Sequence, residues 1–312
     1  MNNTDPVISV IIPCYNKEYF IEETLKSVLN QTYIKAILEI IVIDDGSKDN
    51  TAQIVKRMAA DHPAIYYIYQ ENGGVSAARN TGINMCSAPF IAFLDGDDLW
   101  EPDKIEIHCN YINLYPEAGL FYTNFYRFLY QQNKIIPVKV IPYQHNEQNL
   151  LFKFVAKGAP VIPSTVLIKK ECFDKVGLFD TSLKHGGEDI DMWLRIATHY
   201  SFQHINDFLI KKRELTDSLG ANTFENAKGY KIALDKLQKS IPAIGPYRQK
   251  RDALIQYKIG LYFFKNGENS KALTEVNQAF KKDLKLIKAY VLWVAIVFNQ
   301  LLGLKILDKY LK

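Results

Sequence analysis

The 312-residue chain has little cysteine, little net charge and no apolar run of membrane-spanning length. Its four cysteines, Cys14, Cys86, Cys109 and Cys172, are far apart in sequence. They form no CxxC pair and no Cys/His spacing of a zinc site, which argues against a disulfide scaffold or a structural zinc module. Cys14 and Cys86 lie among apolar neighbours and read as small buried hydrophobes, for which a reducing compartment is the simpler setting. A net charge of +4 is too small to imply a nucleic-acid partner. The first residues, MNNTDP, lack the basic and apolar stretches of a signal peptide, so a cytoplasmic protein is expected. The run AYVLWVAIVFNQLLGL between Lys288 and Lys305 has 16 residues and contains Asn299 and Gln300. A spanning helix needs about 20 apolar residues. This run reads as a core helix or as one lying on a membrane surface.

Nearly half of the residues are hydrophobic and under a quarter are charged, so the chain can bury the core of one large domain or of two. Charge is divided unevenly. Residues 225–312 hold 17 Lys/Arg against 7 Asp/Glu, a net of +10, whereas residues 1–224 hold 21 against 27, a net of −6. The acidic front and the basic rear suggest two parts with different partners.

The front alternates strand and helix patterns. VISVIIP is a continuous β-branched run, as in a strand buried on both faces. LEIIVID, AIYYIYQ and FIAFLD follow as further strands, with helical periods between them in YFIEETLKSVLNQ, TAQIVKRMAA and VSAARNTGINMC. This alternation predicts βαβ units and a largely parallel sheet, whose ligands bind beyond the carboxyl ends of the strands. Further on come a helix over KIEIHCNYINLY, an extended aromatic stretch to Gln131, and a loop over 130–150. A strand over Val161–Lys170, the short helix ECFDKVG and a strand over SFQHINDFLIKKR complete the front. From about Asn222 the pattern is helical throughout, with YKIGLYFFKNGENSKALTEVNQAF as a helical hairpin.

Polar clusters mark the predicted strand ends: Pro13-Cys14-Tyr15-Asn16, Asp44-Asp45-Gly46-Ser47, Glu71-Asn72-Gly73-Gly74 and Asp95-Gly96-Asp97-Asp98. Carboxylates at Asp95, Asp97 and Asp98 suit Mg²⁺ or Mn²⁺, which are bound by one or two carboxylates plus substrate phosphates. Standing alone, the triplet is equally a solvated turn. Asp44 and Asp45 can accept hydrogen bonds from a base or ribose, or cap a turn with Ser47. Tyr15 offers a flat face for a base. Gly74 before a helix lets the backbone approach a phosphate, and Arg79 adds charge there. In HGGEDIDMW, Glu188 and Asp189 open a helix, where capping is an alternative role. His185, Gly186 and Gly187 form a loop before them that can close over an acceptor and present Asp189, a candidate base.

In this order and spacing, VIIPCYNKEYFIEETLKSVLNQT, IIVIDDGSKDNT, NGGVSAARNTGI, FLDGDD and GGEDIDMWLRI resemble the family-two glycosyltransferases over residues 6–215. The resemblance implies a GT-A fold: α/β and Rossmann-like, with a mostly parallel central sheet flanked by helices, here followed by an α-helical C-terminal extension. It also implies a nucleotide-sugar donor, usually a UDP-sugar, and transfer with inversion to a hydroxyl. Pro13 and Tyr15 match positions flanking the base, and Asp44 and Asp45 the acidic pair that contacts the nucleoside. Asp95 and Asp97 match the DxD motif, with Asp97 the direct ligand of Mn²⁺ or Mg²⁺ and Asp98 supporting the loop or the sugar. Asp189 matches the catalytic base and Glu188 its neighbour, while Arg213, or Lys212, matches a basic segment that contacts the diphosphate.

The expected division is a catalytic domain over 1–219, with a nucleotide-binding half (1–100) and an acceptor half (101–219), and a helical region over 220–312. The acceptor is expected to be a glycan or a lipid-linked sugar in cell-surface polysaccharide or glycolipid synthesis. Residues 285–312 are a candidate for peripheral contact with the inner membrane face, against a bundle with a solvated basic face. Two other functions compete. A sugar nucleotidyltransferase would carry a glycine-rich basic loop after the first strand, where PCYNKEYF stands. A non-catalytic sugar-nucleotide binder would be expected to lack one of the acidic clusters, and all are present.

Overall fold

The first four strands, β1 (Ile8–Cys14), β2 (Ile37–Asp44), β3 (Ile65–Tyr69) and β4 (Phe90–Phe93), alternate with helices α1 (Ile21–Leu29), α2 (Thr51–Asp61) and α3 (Val75–Met85). They are taken from a computed structural model that describes residues 6–158, 161–183, 186–214 and 223–302. β1 lies between β2 and β4 with all its residues buried, which is why its sequence is a continuous apolar run. β3 is the outer strand, and only Ile65 of its five residues is buried. All pairings among these four strands are parallel. The register pairs Cys14 with Asp44, so the polar residues after β1 and β2 emerge side by side.

Beyond β4 come β5 (Leu99–Trp100), α4 (Lys104–Leu114), β6 (Ala118–Leu129), β7 (Lys134–Val138), α5 (Leu150–Lys157), β8 (Leu167–Lys169), α6 (Lys170–Val176), α7 (Glu188–Ile196) and β9 (Ser201–Glu214). The nine-stranded sheet runs β3-β2-β1-β4-β8-β6-β9-β5, with β7 paired to β6. β8 joins antiparallel to β4, while β6 and β9 are parallel. The fold is thus the expected α/β arrangement, wholly parallel in its first half and mixed after it.

Two segments differ from expectation. The loop expected over 130–150 contains β7, which forms a hairpin with β6 from Phe125–Val138 to Leu129–Lys134, turning at left-handed Asn133. Five residues containing Pro137 are too few to show a period. The strand expected over Val161–Lys170 contracts to Leu167–Lys169, because Pro163–Thr165 form a 3₁₀ turn that buries Ser164.

The helices α8 (Thr223–Ser240), α9 (Gly245–Lys265), α10 (Asn269–Lys282) and α11 (Ile287–Leu302) end the described chain. α9 and α10 form the expected hairpin around Gly267, whose φ is 77°. Gly260 of α9 lets α10 come close, since a Cβ there would lie 2.9 Å from Val276 Cγ2. Phe264, Ala272, Val276, Ala279, Ala289, Leu292, Ala295 and Ile296 make one apolar cluster. At about 0.8 kcal/mol per buried CH₂, such a cluster is the main source of stability for these helices.

Packing separates two units. The first comprises Met1–Leu150, Ala159–Lys184 and Arg195–Thr216; the second comprises Leu151–Gly158, His185–Leu194 and Asp217–Lys312. The boundary expected at 219/220 falls outside the described residues. The second unit also takes in most of α5 and α7, whose residues pack with the helices. Among the described residues no helix is long and apolar enough to cross a membrane.

Candidate active site

The carboxyl ends of β1, β2 and β4 build the acidic centre of the first unit. Pro13 is buried in β1, and Tyr15 follows it with 43% of its surface exposed. Asn16, at φ 52°, donates its N–H to Ser47 Oγ (2.9 Å) and accepts from Lys48 N–H through Oδ1 (2.9 Å). These bonds fasten the turns after β1 and β2 to each other.

Asp44 and Asp45 are both buried. Asp44 Oδ1 accepts the Ser47 N–H (2.8 Å) and Oδ2 the Tyr67 hydroxyl (2.8 Å). Burial, and then the Asp44 carboxylate, push the Tyr67 phenol up, so it stays a donor. Asp45 Oδ1 accepts from Gln70 Nε2 (2.7 Å) and the Gly73 N–H (2.9 Å), and Oδ2 from the Gly74 N–H (2.8 Å). Asp45 therefore shapes the Gly73-Gly74 loop ahead of α3. Gly74 has φ 86°, and the space beside its Cα is open.

The second acidic turn presses against the end of β1. A Cβ on Gly96 would lie 3.0 Å from Cys14 Cβ and 3.2 Å from the Pro13 carbonyl, so a side chain here would push the turn away. The Thr24 hydroxyl lies within bonding distance of the Gly96 (3.2 Å) and Asp98 (3.0 Å) carbonyls. The three aspartates have different surroundings. Asp95 is one-third exposed and pairs through Oδ1 with Arg79 Nη2 at 3.0 Å. Asp97 Oδ2 holds Lys17 Nζ at 2.6 Å. Asp98 is enclosed: its Oδ2 accepts from the Ser164 hydroxyl (2.6 Å) and its Oδ1 from the Arg213 N–H (3.0 Å). Burial first, then the charges of Asp95 and Asp97, push the Asp98 carboxyl up to about 8. Of the two roles implied for Asp98, loop support is the one its surroundings describe.

Among the described residues no three His, Cys, Asp or Glu side chains form a ready metal cage. The residues nevertheless fit Mn²⁺ or Mg²⁺ bound together with a diphosphate. Asp95 and Asp97 are two hard ligands on one turn, and the Lys17 ammonium already sits as a cation against one of them.

Arg213, which the resemblance places near the diphosphate, is enclosed at the end of β9. Its side chain is fully buried and pairs with Glu23 at 2.7 Å. The guanidinium lies 4.6, 5.0 and 5.8 Å from the ring centroids of Phe20, Tyr130 and Phe128. Aromatic faces thus surround the charge, while its backbone N–H holds Asp98. Arg79 is likewise buried, with Phe179 at 5.5 Å, but its Nη2 reaches Asp95.

In the second unit, Glu188 and Asp189 occupy the first turn of α7, and both are half-buried. Asp189 Oδ1 accepts the Ile190 N–H at 2.7 Å. His185 lies outside the described residues. Gly186 and Gly187 have φ 123° and 87° and pack against α8. A Cβ on Gly187 would overlap the backbone of Gly229, and one on Gly229 would overlap Gly186 O. The expected role of these glycines in closing over a ligand is thus joined by another, a backbone-to-backbone contact with α8.

Lys17, Tyr67, Gln70 and Ser164 hold the acidic turns and were not legible as site residues. Only Lys17, two residues after Tyr15, carried a positional signal.

The sequence profile of "Glycosyl transferase family 2" matches residues 9–177. An uncharacterized glycosyltransferase of Rickettsia typhi is 30% identical over 305 residues, 97% of this chain and 88% of its own. A putative teichuronic acid biosynthesis glycosyltransferase, TuaG of Bacillus subtilis, is 27% identical over 73% of this chain and 87% of its own. Among solved structures, S. aureus TarS 1-349 in complex with UDP-GlcNAc superposes with a TM-score of 0.66 at 14% identity, covering 95% of this chain and 92% of that one. The mannosyltransferase PcManGT of Pyrobaculum calidifontis, in complex with GDP-Man and Mn²⁺, gives 0.61 at 19% identity, covering 96% and 81%. The two structures share the fold with this chain. With the acidic turns at the ends of its parallel strands, this chain belongs to glycosyl transferase family 2 and is a glycosyltransferase with the GT-A fold.

Proposed function

We propose that the protein moves a sugar, with inversion, from a nucleotide-sugar donor, a UDP-sugar, to a hydroxyl of a glycan or lipid-linked acceptor in cell-surface polysaccharide or glycolipid synthesis. The observation that carries this reading is the Asp95-Gly96-Asp97 turn, whose two carboxylates sit beside the end of β1 with cationic partners in place. TuaG supports the polysaccharide setting by its name, and TarS with UDP-GlcNAc supports the donor class. PcManGT was solved with GDP-Man and Mn²⁺, so a GDP-sugar is the alternative donor to test.

Tyr15 offers its exposed ring to the base, and the turns held by Asp44 and Asp45 frame the nucleoside. The Gly73-Gly74 loop, whose own N–H groups bind Asp45, leads into α3, and the first-turn N–H groups of that helix would face the phosphate region. Asp97 and Asp95 would hold a divalent cation, which when bound neutralises charge on the leaving diphosphate. Asp189 takes the proton of the acceptor hydroxyl; that oxygen bonds to the anomeric carbon, and the bond from that carbon to the diphosphate breaks. The assignment of Asp189 rests on the family motif and on its partial exposure at the start of α7.

The test is release of nucleoside diphosphate from a panel of UDP- and GDP-sugars by the purified protein with Mn²⁺, in parallel with the Asp189→Asn protein. Sugar-dependent UDP release that Asp189→Asn abolishes in the presence of acceptor is expected. No release from any donor, or release that Asp189→Asn leaves intact, overturns the reading.

A further inference from the structure

Helix α11 is two-sided. Ala289, Leu292, Ala295 and Ile296 are buried in the cluster with Phe264 and Val276. The opposite side carries Ile287, Val291, Val294 and Phe298, which are 75%, 55%, 45% and 54% exposed. Their spacings of four, three and four make one continuous stripe along the helix. Tyr290 and Trp293, also exposed, flank it. Soluble surfaces scatter such residues singly; a run on one helix face marks an interaction site.

The charge beside the stripe selects the occupant. Residues 281–302 contain four lysines and a single acidic residue, Asp283. Lys281 in the last turn of α10, Lys285 in the link and Lys288 in the first turn of α11 are exposed. Two copies meeting through this face in parallel would bring lysines of like charge together, whereas an anionic bilayer attracts them and accepts the apolar stripe. Tyr and Trp beside the stripe suit the headgroup boundary, where one part of the ring is apolar and the other wet. The described helix has 16 residues, about 24 Å, and among the described residues none is long and apolar enough to cross a membrane, so the stripe suits a helix lying along one.

We propose that α11 seats the protein on an anionic phospholipid surface. It lies in the plane of the interface, with Ile287, Val291, Val294 and Phe298 towards the acyl chains and Lys281, Lys285 and Lys288 among the headgroups. This docking is independent of the donor and of the acid-base assignment.

The test is co-sedimentation of the full chain with vesicles of phosphatidylglycerol and phosphatidylcholine, and with phosphatidylcholine alone. Binding to the anionic vesicles, weakened by about 0.5 M salt, is expected. Trp293 reports insertion by a blue-shifted emission, since Trp100 and Trp193 are already buried. The double variant Val291→Asp/Phe298→Asp should cut the bound fraction by about tenfold or more. Lys281→Glu/Lys285→Glu/Lys288→Glu should remove the preference for anionic lipid. Nucleotide-sugar hydrolysis and circular dichroism should not change, because the replaced side chains are exposed; if the aspartate pair misfolds, Val291→Ser/Phe298→Ser replaces it. Absence of wild-type binding, or equal binding by the folded variants, overturns the proposal. So does a wild-type dimer that Val291→Asp/Phe298→Asp dissociates with no lipid binding, which would give the stripe to a second copy.

Discussion

The turns after β2 and β4 stand on either side of β1 and look alike in sequence, yet their carboxylates do different work. At Asp44 and Asp45 every carboxylate oxygen accepts a hydrogen bond from the protein, and both residues are buried. At the second turn only Asp98 is held this way. Asp95 and Asp97 instead face the cationic side chains of Arg79 and Lys17. A carboxylate held by backbone N–H groups is part of the scaffold, while one held by a long side chain can exchange that partner for a ligand. The difference separates residues that shape the cradle from residues available to what enters it.

The sharpest way to break this comparison is to remove one carboxylate from each turn. Asp97→Asn should lower kcat by roughly 10³-fold, equivalent to about 4 kcal/mol of transition-state stabilisation, with the melting temperature unchanged. Steady-state kinetics at saturating Mn²⁺ alongside calorimetry checks both halves; a large loss of stability would merge the two turns into one class. Asp45→Ala should do the reverse and destabilise the fold by about 2–4 kcal/mol, because it strands the Gly73 and Gly74 N–H groups and Gln70. Urea unfolding measures that, and a variant as stable as the parent would show that water replaces the carboxylate at no cost. Lys17→Met should tighten Mn²⁺ binding by about 3- to 10-fold, since the ammonium no longer competes for Asp97. Titration calorimetry with Mn²⁺ and UDP reads this, and unchanged affinity would place the cation elsewhere. The smallest effect is expected for Gly74→Ala, about 1 kcal/mol from backbone strain at φ 86° with no steric clash. A larger loss would mean that the loop is held more rigidly than its open surroundings imply.

The parallel half was legible because strands buried on both faces leave long, mostly apolar runs, as in β1 and β2, and because helices separate them at short intervals. The helical period of the C-terminal segments was equally clear. The roles of individual aspartates were not, since the groups that fix them are remote in sequence. Asp45 meets Gly73 from 28 residues away, and Asp98 meets Ser164 and Arg213 from 66 and 115. Arg213 was named through the family's basic segment, and nothing local shows that Phe20, Phe128 and Tyr130 close around it. β7 escaped notice because a five-residue strand with a proline has no period to read.

The contact of Gly186 and Gly187 with Gly229 bears on how this protein can be shortened or recombined. The sheet closes with β9 at Glu214, which invites a cut behind it and an exchange of the helices for those of a relative. Such a hybrid would separate the turn carrying Asp189 from the one residue type that allows two backbones to touch there. A transplanted helix with any side chain at the position of Gly229 would lift that turn. The exchangeable piece is therefore α7 together with α8, and a graft should carry all three glycines or none.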